Sequence, residues 1–145
     1  MAPYEFWQLA DRLILNEKNP EGFHSAVSRA YYAAFLTAVD FLARMSVFLS
    51  KGAGKHTDLF TILGNTGDAP LLKALDKLMS LRDDRNAADY DLNSTAVEQE
   101  AYARGRVTDA LNVIAELNRC RLDAPRFAAV TAATRAWVKK LRGIP

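Results

Sequence analysis

Apolar residues recur along this chain at intervals of three and four and nowhere alternate over the length of a strand, which predicts helices throughout. Tyr4–Asn16 reads as a short first helix, with Phe6, Leu9, Leu13, Tyr4 and Ile14 toward its buried side. Asn16–Asn19 is polar and turn-like. Asn19 is a candidate cap for the second helix, and Pro20 suits a first turn, where its missing N–H has no intrahelical partner anyway. The second helix is predicted over about Pro20–Leu49, with Phe23, Val27, Ala30, Ala34, Phe41, Met45 and Phe48 as its apolar stripe. A flexible basic loop, Ser50–His56, leads into a short helix at His56–Leu63. Gly64–Asp68 breaks the chain, and Asp68 and Pro70 can open the next helix, which runs to about Leu92. Asn93-Ser94-Thr95 reads as a turn, and Thr95-Ala96-Val97-Glu98 fits a capping box. A helix over about Ala96–Arg119 gathers Ala103, Val107, Ala110, Leu111, Ile114 and Leu117 on one side. After Asp123-Ala124-Pro125, a last helix carries Phe127, Val130, Thr134, Trp137 and Leu141 and stops at Gly143.

One helix departs from this pattern. Stepped in fours and threes, one face reads Leu71, Leu75, Leu78, Arg82, Arg85, Asp89, Leu92. A leucine seam turns into two guanidinium groups and a carboxylate, then returns to leucine. Asn86 and Tyr90, four apart and so neighbours on a helix, lie on the same turns. Polar groups on a core face need hydrogen-bonding partners if they are buried. Two readings follow: an ionic patch where this helix crosses another, or a site that holds phosphate or cuts RNA.

The second helix has a matching anomaly. Ser28-Arg29-Ala30-Tyr31-Tyr32-Ala33-Ala34-Phe35 is dense in small residues and aromatics. Small residues let another helix approach closely, and a buried tyrosine needs a partner for its hydroxyl. Arg29 and Tyr32 are the polar candidates there.

Composition narrows the class. The chain has 145 residues, half of them apolar and a quarter charged, with 7 glycines and 5 prolines. That suits one domain with a single core, spanning residues 1–145. The domain's core is expected over about residues 20–119 and a C-terminal basic helix over about 125–142. The architecture expected is an all-α, up-down bundle of four to five main helices. The single cysteine, Cys120, excludes an internal disulfide and a Cys-based zinc site, suits a reducing cytoplasm, and reads as a packing residue. No apolar run reaches the ~18 residues of a membrane span, and the start of the chain lacks the basic region of a signal peptide. Net charge is +2, but Leu117–Pro145 holds seven basic residues against Asp123, so that segment is +6 and the remainder −4. A basic tail helix can attract nucleic acid or an acidic protein, or be a solvated face.

Some chemistries drop out. Ser50-Lys51-Gly52-Ala53-Gly54-Lys55-His56 echoes a phosphate loop, but it lacks the early glycine, the Ser or Thr after Gly-Lys, and a preceding strand. His24 and His56 have no metal-pair spacing, and no metal or other cofactor is expected.

Taken in order, the Ser28–Phe35 segment, the Gly/Lys/His loop and Arg85-Asn86-Ala87-Ala88-Asp89-Tyr90 resemble the HEPN domain (higher eukaryotes and prokaryotes nucleotide-binding). The likeness is to small prokaryotic members with a "SRxYYA" and an "R-x3-DY" segment, and it covers roughly Pro20 to Arg119. It implies a homodimer in which the Arg-bearing helices face each other across a cleft. Family members with an arginine followed, after a short spacer, by histidine are metal-independent ribonucleases. Several are toxins partnered with a small nucleotidyltransferase. Arg85 matches the family arginine and Asn86 the polar residue after it, but the histidine position is held by Tyr90. Imidazole titrates near 6.5 and phenol only near about 10, so Tyr90 is a poor general base.

The expectation is therefore a non-catalytic module that engages nucleotide, RNA or a partner protein through Arg29, Tyr32, Arg82, Arg85, Asn86 and Tyr90, in a toxin–antitoxin type of pairing with a nucleotidyltransferase. The alternatives are a ribonuclease toxin using Arg85 with Tyr90 or His56, and a purely structural helical dimer.

Overall fold

The computed structural model describes residues 2–90 and 99–143, apart from the side chains of Ala88 and Tyr90. Among the described residues six helices follow one another: α1 (Pro3–Asn16), α2 (Pro20–Ala43), α3 (Lys55–Leu63), α4 (Ala69–Tyr90), α5 (Glu100–Leu122) and α6 (Ala124–Leu141). Among the described residues there is no strand, and the protein is an all-α helical bundle.

α2 is the hub. α1, α4 and α5 all pack against it, and α4 and α5 pack against each other. A helix covered on three sides must be apolar nearly all round. Phe23, Ala26, Val27, Ala30, Tyr31, Ala34, Ala38 and Leu42 are all buried, and its alanines admit three neighbours at close range. These residues belong to one continuous core with Ile14 of α1, Leu71, Leu75, Leu78 and Leu81 of α4, and Val107, Ala110, Ile114 and Leu117 of α5.

The helix starts follow from their caps. Asn19 Oδ1 accepts from Gly22 N at 2.8 Å and Asp68 Oδ2 from Leu71 N at 3.0 Å, the two caps expected from sequence, while Asp123 Oδ1 accepts from Arg126 N at 3.2 Å. Gly22 is required where α1 turns into α2, because a Cβ there would lie 2.0 Å from the Glu17 carbonyl oxygen. The Thr95–Glu98 capping box, the turn before it and Leu92 lie outside the described residues.

Three boundaries and faces differ from the periodicity. α2 stops at Ala43 rather than Leu49. Val47 N–H donates to Leu42 C=O at 3.0 Å and Ser46 N–H to Ala43 C=O at 2.9 Å, with Ser46 in the left-handed region at φ 59°. That is a Schellman termination, fixed by Val47 folding back into the core beside Leu42. Phe48 is consequently 64% exposed instead of ending the stripe. Tyr4 and Leu141 are exposed as well; α1 buries Ala10 and Ile14, and Trp7 Nε1 donates to the Val107 carbonyl at 2.8 Å, tying α1 to α5. Cys120 is wholly buried and its thiol pKa is pushed up by that burial, as a packing residue's would be.

Candidate functional site

The leucine seam of α4 runs under α2 until Leu81. Beyond it the helix presents Arg82, Arg85, Asn86 and Asp89 to the tyrosines of α2 and the start of α3. Arg85 is the centre, its side chain 13% exposed. Its Nη2 donates to the Tyr32 hydroxyl, its Nη1 donates to Asn86 Oδ1 at 2.9 Å, and its Nε lies 3.3 Å from Asp89 Oδ2. Asp89 also accepts from the Ser28 hydroxyl at 3.3 Å. The guanidinium carbon lies 5.0 Å from the Tyr32 ring centre and 5.8 Å from that of Tyr31. Two segments 53 residues apart are thus clamped through one side chain.

Arg82, one turn earlier, is held differently. Its guanidinium lies 5.6 Å from the centre of the Phe60 ring on α3, its Nε is buried without a hydrogen-bond partner, and among the described residues no carboxylate pairs with it. An ionic group half out of water with no counter-charge is an unfilled requirement.

His56 completes the cluster. Its ring stacks on Phe35 at 4.2 Å and on Tyr31 at 5.7 Å, and Nδ1 lies 2.5 Å from the Tyr31 hydroxyl. Burial, then the charges of Arg82, Lys55 and Arg85, push its pKa down to about 4, so it is neutral at physiological pH. Burial pushes the Tyr31 phenol well up, against the pull of the same two arginines. Phenol is the stronger acid of the pair and imidazole nitrogen the stronger base, so the Tyr31 O–H donates and Nδ1 accepts. The imidazole lone pair is therefore spent inside the protein, and the outward nitrogen carries a proton. Such a ring can donate a hydrogen bond to an anion but does not offer a base to an incoming hydroxyl.

Of the six expected binding residues, Tyr32, Arg82, Arg85 and Asn86 lie in this cluster. Arg29 does not: it is exposed on α2, and among the described residues no hydrogen bond or ion pair joins it to the others. The side chain of Tyr90 lies outside the described residues. Tyr31, Phe35 and Lys55 belong to the site and carried no individual signal in the sequence beyond their place in the two flagged segments; Lys55 Nζ sits 5.9 Å from the centre of the Phe35 ring. Among the described residues no group of three or more side chains is arranged to hold a metal ion, and no helix is long and apolar enough to cross a membrane.

Two other ionic clusters flank α4. Tyr102 O–H donates to Asp84 Oδ1 at 2.7 Å, and Arg106 bridges Asp84 and Asp109 at 3.4 and 2.5 Å, which fastens α4 to α5. At the start of α4, Arg126 forks onto Asp68 at 3.0 and 2.7 Å and reaches Glu116 at 2.8 Å. Those hydrogen bonds hold the Asp68 carboxyl below its usual range; for Glu116 burial acts upward but is outweighed by Arg126 and Arg119. No protein-family model matches the chain, and no curated protein or solved structure is significantly similar to it.

Proposed function

We propose that the chain is a HEPN-like, non-catalytic binding module of the cytoplasm that takes the phosphate of a nucleotide or RNA on the face formed by Arg82, Arg85, Asn86, Tyr32 and His56. In this reading two copies pair across the Arg-bearing helices, and a nucleotidyltransferase is the partner protein. The observation that carries it is Arg82. Lys55, Arg82 and Arg85 converge on His56 with Asp89 as the local carboxylate, so among the described residues the cluster holds more positive than negative charge in a half-buried setting. A phosphate oxygen would supply the missing counter-charge to Arg82 and accept from the outward N–H of His56.

The orientation of His56 weighs against the ribonuclease alternative, since its basic nitrogen is already occupied by Tyr31. Arg85 with Tyr90 alone would lack a group that titrates near neutrality.

The test is fluorescence anisotropy of a labelled oligouridylate, with ATP as competitor, for wild type and Arg82→Ala. Wild type should bind at low salt and weaken as salt rises. Arg82→Ala should lose about tenfold in affinity with its melting temperature unchanged. Absence of wild-type binding to either probe, or equal binding by the variant, would sink the reading. Expression of wild type beside Arg85→Ala, with total RNA inspected, separates the ribonuclease: Arg85-dependent cleavage would overturn the non-catalytic assignment.

A further inference from the structure

A second surface lies on the far side of α3 from His56. Because α2 ends at Ala43 and Val47 folds inward, residues 44–50 cross in front of the C-terminal half of α6. Two adjoining clefts form there, of about 480 and 430 Å³, sharing Arg142. The first has Val47 and Val138 at its floor and Arg135 and Lys139 on its walls. The second is flanked by Phe48 and Leu141, which are 64% and 53% exposed. Together they approach the size of a groove for a short peptide rather than a single ion.

The cations of this surface are preset. Arg135 Nη1 donates to the Met45 carbonyl at 3.2 Å and Arg142 Nη2 to the Phe48 carbonyl at 2.8 Å. Each guanidinium is anchored by one bond to backbone, which leaves most of its donors for a ligand and removes part of the entropy of ordering it. Asp58 of α3 lies 3.6 Å from Arg142 and lines the second cleft; among the described residues no carboxylate lines the first, so the surface stays positive.

From this geometry we infer that the α6 cleft is a docking site for an acidic segment of a partner protein, one that presents an apolar side chain flanked by carboxylates. Charge complementarity selects the carboxylates: arginine forks match them in two-point geometry. The apolar anchor is selected by Phe48 and Leu141, which stand in water beside the cations and gain from burial. A nucleic-acid strand fits less well. Its sugar-phosphate backbone has nothing to cover the exposed Phe48 and Leu141.

Selection of random short peptides displayed on phage, panned against the full chain, tests this. The enriched pool should pair Asp or Glu with Leu, Phe or Trp. A synthetic peptide from that pool should bind Lys139→Glu and Phe48→Ala each about tenfold more weakly than wild type, and Arg82→Ala unchanged. Both substituted side chains are exposed or at a cleft wall, so melting should confirm that both variants fold. The inference is overturned by a pool without the acidic-apolar pairing, or by a peptide indifferent to both substitutions. It is also overturned if oligouridylate competes for the cleft and shows the same sensitivity to them. None of these results depends on what binds at Arg82.

Discussion

The two ends of α4 hold arginine in opposite ways. At the start, Arg126 meets Asp68 and Glu116, and Glu116 also takes Arg119 at 2.6 Å. Two carboxylates face two guanidiniums, and Asp68 caps the helix besides. At the far end, Asp89 pairs with Arg85, and among the described residues no carboxylate pairs with Arg82 or with Lys55 nearby. Both clusters are partly buried and both join distant segments. The difference is balance. A matched cluster has nothing left to offer and acts as a fastener; a cluster with excess cation retains an electrostatic requirement that a ligand can meet. Counting arginines does not distinguish the two, and counting their carboxylates does.

The largest expected effect breaks the matched end. Arg126→Ala leaves Asp68 and Glu116 facing each other without their cation, and should destabilise the fold by roughly 3 kcal/mol in thermal or urea melts. A change under about 1 kcal/mol would show the fastener to be ornamental.

The next effect lies in pH. His56 is pushed down to about 4 in the folded chain from an ordinary 6.5, so the unfolded chain binds its proton first. Its contribution is full above pH 6.5, declines as pH falls, and is gone below about 4; the span corresponds to on the order of 3 kcal/mol. Asp68 and Glu116 add to acid loss in a lower window, since both are held below the usual carboxylate range. His56→Gln should flatten stability between pH 6.5 and 4 while leaving the lower loss in place. A slope that survives this substitution would mean that His56 is not held neutral by its neighbours.

The smallest effect sharpens the contrast most. Arg82→Ala should move stability by no more than about 0.5 kcal/mol, because it removes a cation without orphaning an acid. If it unfolds the chain as Arg126→Ala does, the two ends are alike and the site at Arg82 is structural.

Much of this fold could be read along the chain. Asn19 and Asp68 announced helix starts by local chemistry, and the Leu71–Leu78 spacing marked a buried seam that the structure confirms. Local readings failed where a distant contact intervened. Phe48 fits the stripe of α2 by spacing, yet Val47 turns back into the core first. Arg126 read as part of a basic tail, and two acids, the cap of α4 and Glu116 of α5, neutralise it. Within the site, Arg85 and Tyr32 stood out as polar groups on apolar faces, whereas His56 gave no local sign of facing Tyr31.

By itself the sequence determined that this protein is helical, roughly where its helices begin, and which faces they bury, because caps and three-to-four spacing act within a turn or two of chain. Only the tertiary structure decided which charges find partners. Ion pairing depends on a few ångströms between side chains far apart along the chain, 58 residues for Arg126 and Asp68, and no periodicity encodes that distance.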